Sequence, residues 1–250
     1  MTDFNCMVGH WPYRKIRKPS FSHLKEVHEA NGINCGYVSS INSIFYNDPF
    51  EGDLELHEMI KGSTYRHVLT VNPKLPGYVN DIEAGVENFD IRGVKIFPGV
   101  HGYNLDDPDM QDLCRVLQHH DLPLFLSMHL ENERFYYLLF PSDIKTEELE
   151  SFLVGQPDLK VLLLCAYYHE LSEIKDTLLS HQSVYYDTSS LFAIEDIVND
   201  LGADRMVYGS QHPLLCLKST HLLVKHADLE DTIKQKILKT NGTKLMQRGD

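Results

Sequence analysis

Several polar side chains stand where short apolar segments of the sequence end. They are Asn5, Lys95, His129, Cys165, Gln211 and His212. Imidazole groups exchange protons near neutral pH and bind metal ions, while amide, thiol and ammonium groups can hold or orient a substrate. These residues can form one site for a small molecule only if the fold brings their distant segments together.

Three candidates each allow two interpretations. His129 can act as an acid–base group or metal ligand, or its imidazole can be hydrogen-bonded in the interior without a further role. Lys95 lies in an apolar segment, where an unpaired ammonium is costly, so it either binds a substrate or pairs with a carboxylate such as Asp187. Arg134 can bind a substrate carboxylate through its fork of donors, or it can form a salt bridge with Glu131.

The other candidates carry weaker signals. Cys165 ends the most apolar segment, where a thiol usually behaves as a small hydrophobic group; a nucleophile or metal ligand is the alternative. Gln211 and His212 are candidate catalytic residues, although an amide cannot serve as a general base and the pair can equally form a hydrogen-bonded turn before Pro213. His169 starts a predicted helix and can reach the same region as a substrate-binding residue.

Short apolar segments alternate with helix-like segments about eight times along the chain. The apolar segments are Asp3–Val8, Ile33–Ser39, Val68–Val71, Gly93–Phe97, Leu124–Met128, Lys160–Cys165, Val184–Asp187 and Met206–Tyr208. Most are apolar on both faces, which is typical of parallel strands covered by helices. Among the helix-like segments, Asp107–His120 begins with Pro108 at its first turn and carries one apolar stripe. The chain divided among eight units leaves about 31 residues for each, the size of one strand–helix step.

This alternation predicts a single α/β domain over residues 1–250, a (β/α)8 TIM-like barrel that is regular or distorted. An open doubly wound sheet is the alternative, but no Gly-x-Gly-x-x-Gly follows a strand. In a barrel the site forms at the carboxyl ends of the strands. We therefore expect Asn5, Lys95, His129 and Gln211 to converge on one face.

The composition is that of an acidic globular protein. Hydrophobic residues make up 42% of the chain and the formal net charge is −13, which disfavours binding to nucleic acid. Five widely spaced cysteines without a Cys-x-x-Cys pair indicate reduced thiols. No segment resembles a signal peptide or a membrane span, so we expect a cytoplasmic protein without a membrane partner. The basic run from Arg14 to Lys18 is interpreted as a solvated loop, with an anion clamp as the alternative.

Four segments resemble motifs of the amidohydrolase-related family, the decarboxylase-containing branch of the metal-dependent amidohydrolases. Gly93–Pro108 is similar to that family's fourth-strand segment, and Leu122–His129 resembles its fifth strand, which ends in a ligand histidine. Asp204–Pro213 resembles the eighth-strand motif, and Asn241–Leu245 a helix near the family's end. The resemblance covers nearly the whole chain and implies the same barrel.

The resemblance also implies a divalent metal such as zinc, but most of the ligand positions are substituted. The family typically uses a His-x-His pair after strand 1, histidines after strands 5 and 6, and an aspartate after strand 8. The matching positions here are Asn5, Met7, His129, Cys165 and Gln211. Only His129 and Cys165 remain as good ligands, whereas catalytic zinc usually has three. We therefore expect no tightly held zinc at these positions, unless loop histidines complete a rebuilt site. The sequence leaves open whether the protein uses a cofactor.

Three functions are compatible with these observations. The first is a hydrolase or related lyase that acts on a small carboxylate- or amide-type substrate at the carboxyl-terminal face. The second is a catalytically inactive barrel that binds a small anionic ligand or a protein partner. The third is a metal-independent enzyme that uses His129 with Lys95 or Arg134. In all three the ligand is expected to be anionic, because positive groups in a cleft of low dielectric attract anions. The sequence leaves a homo-oligomer open.

Overall fold

The expected apolar segments form short parallel strands in the computed structural model, which describes residues 1–17, 19–136 and 138–247. The strands are β1 (Thr2–Val8), β2 (Cys35–Ser40), β3 (Arg66–His67), β4 (Leu69–Thr70), β5 (Val94–Ile96), β6 (Leu124–Ser127), β7 (Val161–Leu164), β8 (Val184–Asp187) and β9 (Met206–Val207). Each pairs in parallel with its neighbour, in the orders β1-β2-β3 and β4 through β9. Parallel pairing explains why these segments are apolar on both faces.

Strands β3 and β4 are two halves of one extended segment. In the first half, His67 pairs with Val38 of β2, and in the second half Leu69 pairs with Val94 of β5. The backbone N–H of Val68, between the halves, donates to the carbonyl of Val38 at 2.9 Å. This segment therefore joins the two sheets into one curved surface.

Hydrogen bonds between the first and last strands close that surface. The backbone N–H of Phe4 donates to the carbonyl of Tyr208 at 2.9 Å. The N–H of Gln211 donates to the carbonyl of Asn5 at 2.6 Å, and the N–H of Met7 donates to the carbonyl of His212 at 2.7 Å. With β3 and β4 counted as one strand, the described chain forms an eight-stranded parallel barrel. The predicted (β/α)8 fold is confirmed, and the open-sheet alternative is wrong because its two edges would not meet.

Helices follow the strands and cover the outside of the barrel. They are α1 (Phe21–Ala30), α2 (Asn42–Phe45), α3 (Pro49–Ile60), α4 (Tyr78–Phe89), α5 (Pro98–His101), α6 (Pro108–His119), α7 (Thr146–Gly155), α8 (Tyr168–Glu173), α9 (Lys175–Ser180), α10 (Ile194–Leu201), α11 (Leu217–His226), α12 (Asp231–Gln235) and α13 (Asn241–Leu245), with a 3₁₀ turn at Glu133–Phe135 and a π-helical segment at Lys236–Thr240. The stripe predicted on α6 is buried against the strands. No helix in the described part of the chain is long and apolar enough to cross a membrane.

The interior of the barrel is filled by side chains, with a separate apolar group at its carboxyl end. The filling includes Phe4, Val68, Phe125, Leu162, Leu164, Tyr185 and Val207. The second group, which we call the mouth cluster, consists of Met7, Trp11, Ile41, Ile44, Phe97, Leu130 and Leu214. Met7 lies near the end of β1, and the other members lie in the segments that follow the strands. The mouth cluster therefore packs across the face on which the polar residues were expected.

Candidate active site

A buried hydrogen-bonded network is formed by Asn5 within β1, Lys95 within β5, Cys165 directly after β7 and Asp187 at the end of β8. The ammonium Nζ of Lys95 donates to Oδ1 of Asn5 at 3.0 Å. The amide Nδ2 of Asn5 donates to Oδ2 of Asp187 at 2.7 Å and lies 3.3 Å from Sγ of Cys165. All four residues are at most 3% exposed. The structure thus brings together three of the predicted residues with Asp187, and we call this group the Lys95 network.

Asn5 separates the two ionisable groups of the Lys95 network. Its oxygen faces the ammonium and its NH₂ faces the carboxylate, so each end of the amide meets the polarity it satisfies. A direct salt bridge between Lys95 and Asp187, which the sequence allowed, does not form between these two described residues; the amide mediates it. Burial lowers the pKa of Lys95 and raises that of Asp187, because both charged forms lose hydration.

The turn after β7 holds the carboxylate of Asp187 in place. The backbone N–H of Cys165 and the hydroxyl of Ser189 both donate to its Oδ1, each at 2.9 Å. Cys165 has a φ of 59°, which aims that N–H inward. Burial, followed by the neighbouring charge of Asp187, raises the pKa of the Cys165 thiol to about 12. The thiol is therefore protonated at neutral pH, as expected for a small buried group.

His129 is held by a carboxylate that the sequence analysis did not single out. Its Nε2 lies 2.8 Å from Oε1 of Glu170, which is only 6% exposed. The other oxygen of Glu170 accepts the backbone N–H of Tyr167 at 2.7 Å, and the ring of Tyr167 stacks on the imidazole with centroids 4.3 Å apart. The ring nitrogen Nδ1 of His129 lies 4.0 Å from the exposed Asp143. The available signal was the capping-box spacing, with an acid three residues after Tyr167, the residue that caps α8.

Gln211 and His212 lie at the end of β9 but take part in different contacts. Gln211 has a φ of 52°, and its side-chain Nε2 donates to the carbonyl of Leu130 at 2.5 Å. The backbone N–H of His212 donates to the hydroxyl of Ser210, while its ring Nε2 is buried and has no hydrogen-bond partner in the part of the chain that the structure describes. Burial lowers the pKa of His212 to about 4. These contacts are those of a hydrogen-bonded turn that ties β9 to the loop after β6.

The candidates Arg134 and His169 are exposed. Arg134 lies in the 3₁₀ turn, and the salt bridge that the sequence allowed between it and Glu131 does not form; that alternative is wrong. Glu131 pairs instead with Arg14, which also lies over the ring of Phe135 at 5.1 Å. Arg14 can reach because the loop after β1 crosses toward the loop after β6. His169 is exposed on α8, and Lys18, the end of the basic run, is outside the described residues.

The donor atoms at the family's metal positions are already used within the protein. Oδ1 of Asn5 accepts a hydrogen bond from Lys95, and Met7 packs in the mouth cluster. The side chain of Gln211 donates to a backbone carbonyl, and Nε2 of His129 faces Glu170. His129 and Cys165 belong to no metal-like group in the part of the chain that the structure describes; the one such group is Asp3, Cys6 and His28. The residues present therefore do not fit the metal that the resemblance implies.

No family model and no curated protein matches the sequence, but solved structures match nearly the whole chain. An uncharacterized TIM-barrel protein from Bordetella bronchiseptica has a TM-score of 0.77 at 18% identity, covering 98% of this chain and 97% of its own. A dihydroxybenzoic acid decarboxylase from Polaromonas sp. JS666, with bound manganese and the inhibitor 2-nitroresorcinol, has 0.73 at 14%, covering 98% and 96%. The 5-carboxyvanillate decarboxylase of Sphingomonas paucimobilis has 0.69 at 11%, covering 99% of both chains. These likenesses show the barrel fold and include decarboxylases, the kind of enzyme that the sequence motifs resemble.

Proposed function

We propose that this protein is a hydrolase or related lyase that acts on a small carboxylate- or amide-type substrate at the carboxyl-terminal face of its barrel. The observation that carries the proposal is the contact between His129 and Glu170. A carboxylate bound to one imidazole nitrogen fixes the tautomer and the orientation of the ring. If Nε2–H donates to Glu170, Nδ1 is left to accept or deliver a proton on the side away from the buried acid.

Both reaction types need a group in this role. Hydrolysis requires a proton for the leaving group, and decarboxylation requires one for the carbon that loses CO₂. His129 supplies that proton in the proposal, and Glu170 acts through it as a positioning residue. Because the donor atoms do not fit the family's metal, we assign no step to a metal ion.

Positive groups support a carboxylate as the substrate class. Lys95 is a buried cation at the inner end of the site, and Arg134 has no side-chain partner in the described residues. In a cleft of low dielectric such charges attract an anion. The decarboxylases that share the fold carry names of aromatic acids, which makes such acids the first compounds to assay.

The experiment is a substrate panel with matched histidine variants. The proteins compared are wild type, His129→Gln, Glu170→Gln and the control His119→Gln, which removes an exposed imidazole at the end of α6. Each is assayed on hydroxybenzoates for CO₂ release and on aryl esters, amides and lactones for hydrolysis. Every assay is run with and without EDTA. We expect a loss of about 100-fold or more in His129→Gln, since general acid–base groups contribute that much. Turnover that survives in His129→Gln, or is absent from wild type on every substrate, would contradict the proposal.

A second candidate function is a barrel that binds an anionic ligand without transforming it. The satisfied Lys95 network and the mouth cluster favour this alternative, because buried groups that satisfy one another need no substrate to complete them. It predicts saturable stabilisation by small carboxylates without turnover. A carboxylate at one hundred times its Kd should stabilise wild type by about 2.7 kcal/mol in a thermal-shift assay. The stabilisation should disappear in Lys95→Ala; equal stabilisation of both proteins would exclude a site at Lys95.

A further inference from the structure

A cavity lies at the amino-terminal end of the barrel, opposite the candidate active site. Its volume is about 210 Å³. The side chains around it come from residues at or just before the beginnings of strands, including Tyr37 in β2, Arg66 at the start of β3, Arg92 before β5 and Lys160 before β7. Since the proposed active site lies at the carboxyl ends of the same strands, the cavity is separated from it by the filled interior of the barrel.

The cations that line this cavity have donors to spare. Arg66 is exposed, and its guanidinium takes part in no hydrogen bond or ion pair within residues 1–17, 19–136 and 138–247. Arg92 binds Asp90 through Nη2 at 2.7 Å, and its Nε–H is buried without a partner among the described residues. Arg92 is only partly buried and also lines the cavity, so its outer N–H groups, with those of Arg66, are the donors that an anion there would meet.

Lys160 contributes a third positive charge that is already held in place. Its Nζ donates to Oδ1 of Asp121 and to the carbonyl of Gln247, both at 2.7 Å. The pair with Asp121 neutralises much of this charge, so the two guanidinium groups are the main attraction for an anion. Such a cluster is unusual in a chain with a formal net charge of −13.

We propose that the cavity at the amino-terminal end of the barrel binds a phosphate group, either as inorganic phosphate or as the phosphate of a small ester. Guanidinium groups present planar pairs of donors that match the spacing of oxyanion oxygens. The fork of Arg66 and the remaining N–H groups of Arg92, together with the phenol of Tyr37 and an ammonium, offer more donors than the two oxygens of a carboxylate can use. A cavity of 210 Å³ has room for a phosphate but is smaller than the clefts that enclose drug-sized ligands.

The test is calorimetric titration of inorganic phosphate into the full chain at constant ionic strength, with chloride as the replaced anion. Wild type should bind at one saturable site, and its melting temperature should rise with phosphate. Arg66→Gln should weaken binding by about tenfold to a hundredfold, because a charge-assisted contact is worth that much. Arg66 is exposed, so this variant is expected to fold; Arg92→Gln is the second variant. The control Arg115→Gln changes an exposed guanidinium on α6 and should bind as wild type does.

Further arms identify the source of the phosphate and the place where it binds. Glycerol 3-phosphate that binds as tightly as inorganic phosphate supports a phosphate ester, whereas binding of inorganic phosphate alone supports the free ion. The proposal is overturned if wild type shows no saturable phosphate binding or if Arg66→Gln binds as tightly as wild type. It is also overturned if binding is lost in Lys95→Ala but kept in Arg66→Gln, because phosphate would then occupy the other end of the barrel.

Discussion

Mild acid should destabilise this protein through His212, whose imidazole is buried at the end of β9. Burial lowers its pKa from 6.5 to about 4. Below pH 6.5 the unfolded chain takes up a proton at this residue while the folded chain does not, so stability is lost as the pH falls from 6.5 toward 4. The loss from this one group should be about 2 kcal/mol between pH 7 and pH 5, and about 3 kcal/mol by pH 4, where it levels off.

Urea unfolding at pH 7 and at pH 5 measures this contribution when wild type is compared with His212→Gln. The quantity of interest is the change in unfolding free energy between the two pH values, since the direct effect of the substitution cancels in that difference. Titrating groups remote from His212 act equally in both proteins. We expect the variant to lose about 2 kcal/mol less than wild type, and His119→Gln to lose as much as wild type. Equal losses in wild type and His212→Gln would refute the burial argument.

Two further predictions concern the Lys95 network. Gly209→Ala should lower the free energy of unfolding, measured in urea, by about 1–3 kcal/mol, because an added Cβ would lie 2.3 Å from Oδ2 of Asp187. Gly155→Ala is the control, since a Cβ there would lie within 4 Å of no atom of the described residues. This variant should be neutral or slightly stabilising. An aromatic disulfide reagent should modify the exposed Cys216 in the native protein and reach Cys165 only after unfolding, because that thiol is buried and protonated. Rapid native labelling of Cys165, located by peptide mass spectrometry, would show that the network opens.

The sequence alone determined the architecture of this protein. Segments that are apolar on both faces are typical of parallel strands with helical cover, and their regular spacing predicts the number of strands. The same pattern placed Asn5, Lys95 and His129 at the carboxyl ends of strands, because position along a strand is a local property. It also showed that Gln211 stands where the family keeps its acid.

Only the tertiary structure decided which groups meet. Glu170 lies 41 residues from His129, and Asn5 lies 90 residues from Lys95, so no local pattern could pair them. The choice of Arg14 over Arg134 as the partner of Glu131 likewise depends on how two loops cross. Hydrogen bonds and ion pairs require distances accurate to a few tenths of an ångström between separate strands and loops. Periodicity fixes which face a residue occupies, but those distances are set by the closure of the barrel and the packing of its interior.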